Sequence, residues 1–210
     1  MSAGRIVESH SSLVTVIGRK LFPYRGLVWG GVGFLVFCLA RPCWSLFSYG
    51  LLLVLGGEIL RLWGVGYIKN YRGDMESEVC QLVTSGPYAY MRNPLYLANG
   101  IIGIGITFLS GLWWSTVLFL LLFVVLYGTI VKAEEAFLEE RFQDKYRLYR
   151  ECVPAFGWRL PPYRGEKQTF SWRIILKEEV TTLVTLFLVT LLFYWRGFGF
   201  LRLLDRLFFF

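Results

Sequence analysis

Histidine is almost absent from this chain. Its one copy, His10, lies in a polar stretch near the start, which excludes a histidine-based metal site and a Ser–His triad. Cysteine is scarce as well. Cys38, Cys43, Cys80 and Cys152 show no metal-ligand spacing and read as structural or incidental residues. Charge is thin: Asp, Glu, Lys and Arg make up 18% of the residues, against about 25% in a soluble domain. There is no strand–glycine-loop–helix unit of the Rossmann kind and no internal repeat. Met1 to Arg25 holds no apolar run ahead of a small-residue cleavage site, so the first membrane helix is expected to act as the insertion signal.

What replaces charge is apolar surface. Of the 210 residues, 55% are hydrophobic and 18% aromatic, and the mean hydropathy is +0.51. The excess is gathered in runs, which predicts an all-α integral membrane protein with about five transmembrane helices. The expected spans are 27–40, 44–68, 95–109, 112–131 and 180–195. The first is short against the ~20 residues that cross a bilayer, and its Gly30, Gly31 and Gly33 suggest either close helix contact or a loosely packed helix. The second holds Glu58 and Arg61, three residues apart on one face. They read as a self-paired salt bridge or as the wall of a substrate or cofactor cavity. Ser110-Gly111 alone separates the third and fourth spans, which makes an antiparallel helical hairpin.

Residues 1–26 read as a basic arm or interfacial helix and 27–210 as a single domain. Residues 198–210 are aromatic-rich, with Arg202, Asp205 and Arg206 on about one face, as in an interfacial helix. The net charge of +7 is not a nucleic-acid signal, because the cations collect between apolar runs. The segment 132–178 alone carries ten Lys and Arg. This bias places the N-terminus and the loops 69–94 and 132–178 on the cytoplasmic side.

Chemistry concentrates at Gly86-Pro87-Tyr88-Ala89-Tyr90-Met91-Arg92-Asn93-Pro94-Leu95-Tyr96. Two prolines fix φ and remove N–H donors, and Pro94 suits the first turn of the apolar helix that follows. A second polar feature, Glu134-Glu135, sits where the fourth span leaves the membrane. Leu138, Phe142, Tyr146 and Tyr149 continue the helix as an apolar stripe. On their own, the tyrosines and Arg92 suit interface anchors and the Glu pair a solvated helix end.

The order of these parts resembles the signature of the isoprenylcysteine carboxyl methyltransferase and phospholipid methyltransferase superfamily. That signature is a Gly-Pro-Tyr turn, then Arg-His-Pro-x-Tyr, then two membrane helices, then a Glu-Glu pair. Tyr146, Tyr149, Val153 and Pro154 follow at similar positions, and the resemblance covers about 50–160, with its signature at 80–160. It departs at Asn93, which stands where the family has His; Asn keeps a donor and an acceptor but cannot titrate. The resemblance implies S-adenosylmethionine as cofactor, held by the motif loop, including Gly86, Asn93 and Pro94, and by the Glu pair. It implies a membrane lipid or lipid-linked acceptor, with no nucleic acid involved. In the phospholipid branch a glycine pair similar to Gly103 and Gly105 is linked to the cofactor.

A sulfonium methyl is already activated, so the protein must hold cofactor and acceptor in line and exclude water. Glu134 and Glu135 suit the cofactor's ammonium. Arg92 and the backbone around Leu82 and Val83 suit its carboxylate, and Tyr88, Tyr90 and Tyr96 suit the walls. Arg92 and Glu135 are the candidates for catalysis: a carboxylate acceptor needs a cation to orient it, and an amine needs a base. The residues leave O, N and S acceptors open. Two alternatives stand beside this reading: an NADPH-dependent steroid- or sterol-type membrane reductase, which the Glu pair disfavours by repelling phosphate, and a non-enzymatic membrane subunit.

Overall fold

The computed structural model describes residues 16, 17, 20, 22–68 and 81–199. The expected N-terminal arm up to residue 15, the polar stretch 69–80 and the aromatic segment 200–210 lie outside the described residues. Among the described residues the regular elements are helices: α1 (Arg25–Leu39), α2 (Trp44–Val65), α3 (Pro94–Ser110), α4 (Trp113–Cys152), α5 (Trp172–Glu178) and α6 (Val180–Phe198), with 3-10 turns at Phe22–Tyr24 and Gly86–Ala89. Helices α2, α4 and α6 are long and apolar enough to cross a membrane, while Gly26–Leu39 and Pro94–Ser110 are shorter apolar helices. The chain is thus an all-α membrane protein with five apolar helices.

Local chemistry sets the boundaries. Helix α2 stops at Val65, short of Ile68, because the chain turns at Gly66 and Tyr67, where a Cβ on Gly66 would run into the Phe170 ring. Helix α3 starts on Pro94 and ends at Gly111, which adopts φ +71°, a conformation that glycine takes without penalty. A Cβ at Gly111 would collide with the Arg41 carbonyl, and the Arg41 N–H donates to Ser110 O at 2.8 Å. The turn of the α3–α4 hairpin is thereby clamped to the α1–α2 connection. Helix α4 runs for 40 residues, with one non-helical residue, Gln143 (φ 46°).

The tightest pairing is α2 against α3, two helices not joined by a short turn. Gly50, Gly57 and Gly64 recur every seventh residue on α2. A Cβ would lie 2.7 Å from Gly105 O at Gly50, 2.7 Å from Ile102 Cγ1 at Gly57, and 2.7 Å from Leu95 Cδ2 at Gly64. The backbones are in contact, which is how small residues join helices where lipid supplies no hydrophobic drive. This register brings the C-terminal end of α2 beside the start of α3. Apolar side chains of α2 (Leu52, Leu55, Ile59), α4 (Val117, Leu121, Val124, Val125) and α6 (Val184, Phe187, Leu188) remain exposed. Continuous apolar outer faces of this kind suit lipid.

Candidate active site

At the Pro94 end of the bundle, the segment before α3 and the loop after α4 are joined by backbone hydrogen bonds. Arg92 N donates to Pro154 O (2.9 Å), Asn93 N to Ala155 O (3.2 Å), Arg159 N to Tyr90 O (3.1 Å) and Tyr163 N to Ala89 O (2.8 Å). The Tyr149 hydroxyl donates to Tyr88 O at 2.7 Å. Gly86 takes φ +62°, and a Cβ there would enter the Tyr67 ring. Upstream, Gln168 accepts from Thr84 N (3.1 Å) and donates to Leu82 O (3.2 Å). The motif loop is therefore held from two sides before any ligand is considered.

This scaffold aims the motif side chains at the Glu pair on α4. Arg92 donates from Nε (3.0 Å) and Nη2 (2.8 Å) to Glu135 Oε1. Its Nη1 donates to the carbonyls of Arg150 (2.9 Å) and Val153 (2.6 Å) at the end of α4. Asn93 Nδ2 donates to Glu135 Oε1 (3.4 Å) and Ala155 O (3.2 Å). All three bonds to Glu135 arrive at Oε1, so Oε2 is left to accept from elsewhere. One turn along α3, the Tyr96 hydroxyl donates to Glu134 Oε1 at 2.6 Å, and its ring lies 5.0 Å from that of Tyr127. Tyr146 is fully buried beside Tyr149 and Val153, with Leu82, Leu138 and Phe142 packed on this cluster. Among the described residues its hydroxyl has no hydrogen-bond partner, a condition that in a buried group calls for a water, an ion or a ligand.

The structure thus brings together Arg92, Asn93, Tyr96, Glu134 and Glu135. Leu82 joins the Tyr146 cluster, with its carbonyl engaged by Gln168, and Val83 is half-buried beside it. Tyr88 is buried and braces the loop through its carbonyl, while Gly86 and Pro94 shape the turns. Tyr90 stacks on Trp158 (4.4 Å, 19°). Gly103 accommodates the Phe119 ring, and Gly105 sits in the α2–α3 contact. Sequence reasoning missed Gln168, Trp158 and Tyr127. They belong to segments with no motif of their own, and only the fold brings them to the site.

A second polar centre lies deeper, and here the expected Glu58–Arg61 pairing does not form. Arg61 instead makes a bidentate pair with Glu179, Nε to Oε2 and Nη2 to Oε1, both at 2.9 Å, and donates from Nη1 to Asn99 Oδ1 at 2.7 Å. Glu179, at the α5–α6 corner, is fully buried. A planar guanidinium prefers this fork to a neighbour on its own helix. Glu58 is 6% exposed, and among the described residues neither of its carboxyl oxygens has a hydrogen-bond partner. On the exposed strap beyond α4, hydrogen bonds from Lys145 (3.0 Å) and Gln81 (3.2 Å) hold the Glu166 carboxyl below its ordinary pKa. Among the described residues, no group of three or more His, Cys, Asp or Glu side chains could hold a metal ion.

Fold and site together define a multi-pass helical membrane protein with a polar centre at one end of its helices. Residues 46–145 match the family model for phospholipid methyltransferases. That match, just under half of the chain, supports kinship with the superfamily of isoprenylcysteine carboxyl methyltransferases and phospholipid methyltransferases, a group of membrane methyltransferases. It is 35% identical over 131 residues to the cobalt-zinc-cadmium resistance protein CzcN of Cupriavidus metallidurans, covering 61% of this chain and 55% of that protein. It is 32% identical over 124 residues to the nickel-cobalt-cadmium resistance protein NccN of Alcaligenes xylosoxydans xylosoxydans, covering 58% and 54%. It is also 40% identical over 74 residues to the protein-S-isoprenylcysteine O-methyltransferase of Schizosaccharomyces pombe, covering 35% and 31%. The chain therefore spans about half the length of the first two relatives. No solved structure matches it significantly.

Proposed function

We propose that this protein is an S-adenosylmethionine-dependent methyltransferase acting on a lipid or lipid-linked acceptor, with its site on the cytoplasmic side of the membrane. The observation that carries this reading is the convergence of Arg92, Asn93 and Tyr96 on Glu134 and Glu135. The donor set suits the charged end of the cofactor. Glu135 Oε2 and Glu134 suit the ammonium, and the buried Tyr146 hydroxyl beside them lacks a partner. Arg92 makes four hydrogen bonds with five N–H groups. One Nη2 hydrogen is left for a carboxylate, of the cofactor or of the acceptor.

When bound, S-adenosylmethionine supplies a methyl carbon on a sulfonium. Held by the Glu pair at its ammonium and by Arg92 at its carboxylate, it would offer that carbon to the acceptor's lone pair and keep the C–S electron pair on sulfur as a thioether. The residues' part is positioning and water exclusion. The bonds from Arg92 to the Arg150 and Val153 carbonyls fix the end of α4 to the motif loop. An acceptor carboxylate needs no base; an amine acceptor must lose a proton, and Glu135 would take it if its Oε2 faces the acceptor and Glu134 holds the ammonium.

Calorimetry on the purified protein with S-adenosylmethionine and, separately, with a reduced dinucleotide phosphate tests the class. The expected result is binding of the first alone. A charge-assisted hydrogen bond is worth about 1.5–3 kcal/mol, so Glu134→Gln or Glu135→Gln should weaken binding about 10- to 150-fold. Parental affinity in both variants would remove the Glu pair from the site. Preference for the dinucleotide would make the protein a reductase, and binding of neither would favour a non-enzymatic subunit.

A further inference from the structure

Two segments that follow α4 wrap the C-terminal end of α2. In the first, the Trp158 ring stacks on Tyr90 and lies 6.2 Å from Trp63 of α2. In the second, Phe170 packs on Tyr67 (5.6 Å) and Ser171 N donates to Gly66 O (2.8 Å). Helix α5 starts there and leads to Glu179, the partner of Arg61. Gly66 and Arg61 are five residues apart on α2, so α5 descends about 7 Å along that helix at ~1.5 Å per residue. A short helix lying obliquely over this depth matches the about 5–10 Å to which interfacial helices sink.

Both segments turn apolar side chains outward. Phe156, Trp158 and Leu160 alternate along the loop and are exposed. Exposed apolar residues then recur at every fourth position, at Trp172, Leu176, Val180, Val184 and Leu188. This is the spacing of one helix face, and it carries the α5 stripe into the lipid-facing side of α6.

Charge accompanies the rings. Segment 156–178 holds five Lys and Arg against two Glu. Glu166 pairs with Lys145 (3.0 Å) and Glu178 with Lys177 (3.4 Å). Among the described residues, Arg159, Arg164, Lys167 and Arg173 have no carboxylate partner. Two of these cations directly follow the exposed tryptophans, as Trp158-Arg159 and Trp172-Arg173. A ring beside a cation suits the boundary where acyl chains meet negatively charged headgroups.

We propose that the 156–160 loop and the outer face of α5 form a docking surface for anionic lipid. Trp158, Trp172 and Leu176 enter the headgroup layer, and Arg159 and Arg173 meet its phosphates. Continuity with the lipid-facing side of α6 and the cations left without carboxylates favour lipid over a protein partner. The loop also shares backbone hydrogen bonds with the motif loop: Arg92 N to Pro154 O, Asn93 N to Ala155 O and Arg159 N to Tyr90 O. Lipid bound at the loop therefore steadies Arg92 and Asn93. None of this depends on the methyltransferase reading.

The test is amide hydrogen exchange on the full chain, without cofactor, in nanodiscs of phosphatidylcholine alone or with phosphatidylglycerol added. Peptides covering 88–93, 156–163 and 172–178 should exchange more slowly with the anionic lipid. A cation at an anionic surface should slow local opening about 5-fold, so Arg159 and Arg173 together predict about 25-fold. Raised salt should erase the difference. The double variant Arg159→Gln, Arg173→Gln should lose it too, while α2 and α3 peptides exchange as in the parent and show that the bundle is intact. Equal exchange in the two lipids, or a difference that persists in the double variant, would overturn the proposal. So would slowing that needs added polyglutamate in place of anionic lipid, which would assign the surface to an acidic protein. Slowing at 156–163 that stops short of 88–93 would overturn the link to the motif loop.

Discussion

Glu58 and Glu179 compete for one buried cation, Arg61, and only Glu179 bonds to it. Their substitutions should move stability in opposite directions. Glu179→Gln removes the carboxylate that pairs with the Arg61 guanidinium, a loss of up to about 3–5 kcal/mol, seen as a lower thermal midpoint in detergent. Glu58→Met removes two unpartnered oxygens and should leave the midpoint unchanged or raise it, by up to the ~1–3 kcal/mol of an unsatisfied buried group. A large loss in Glu58→Met would show that the carboxyl is engaged in the membrane. Asn93 is the residue at which this chain departs from the family signature. Its amide ties Glu135 to the Ala155 carbonyl. Asn93→Leu should cost about 1–3 kcal/mol of S-adenosylmethionine affinity, whereas Asn93→His, which retains a donor, should keep part of it. Equal affinity in Asn93→Leu and the parent would confine Asn93 to a structural role.

At the scale of elements, the glycines of α2 and those of α1 give a direct contrast. Gly57→Leu pushes a side chain into Ile102 and the Ala98 carbonyl. It should destabilise the bundle by the ~1–3 kcal/mol of overpacking or more, because backbone cannot step aside. Gly30→Leu meets open space and should leave the thermal midpoint unchanged. The sequence made the helices legible, because apolar runs interrupted by Pro42, Pro94 and Gly111 have few other solutions. The motif loop and the Glu pair were legible as parts through the order they share with the family signature, since their residue types alone suit interface anchors and a solvated helix end equally well. What was illegible was partnership across long separations. Gly105 could not be assigned to α2 without knowing the register of two helices that share no short turn. Arg61 lay three residues from one carboxylate, yet it pairs with another 118 residues away. Gln168 has no motif, and it matters only because the strap after α4 folds back along 82–85. That strap carries a pH signature. Hydrogen bonds depress the Glu166 pKa, so its contribution is present above the unfolded carboxylate value of about 4.3 and lost as pH falls through the lower folded value. Proteolysis of the 153–171 loop should be flat from pH 8 to about pH 5 and rise only below about 4.3.

Across the whole molecule, charge and packing agree on an orientation. The Pro94 end carries Arg92 and the ten Lys and Arg of 132–178. At the other end Arg41 lies between α1 and α2, and the hairpin turn has no cation. Arg196, Arg202 and Arg206, at the end of the last span and beyond it, are the exceptions, and the structure accounts for Arg196. Its guanidinium donates to Cys38 O (3.0 Å) and Ala40 O (3.3 Å) at the C-terminus of α1, where a helix favours a cation. It is used as a cap and carries little weight in the loop bias. With that charge assigned, the positive-inside tendency favours the proposed cytoplasmic placement of the Glu pair and the motif loop. The cysteines read this out without engineering new sites. Cys43 is exposed just before α2, and Cys152 is exposed at the end of α4, at the opposite end of the bundle. In a Cys38→Ser, Cys80→Ser background, a membrane-impermeant maleimide should label Cys43 in sealed cells and reach Cys152 only after permeabilisation. The reverse pattern would turn the molecule over. The site would then face away from the compartment in which S-adenosylmethionine is made, and the proposed chemistry would lose its methyl source.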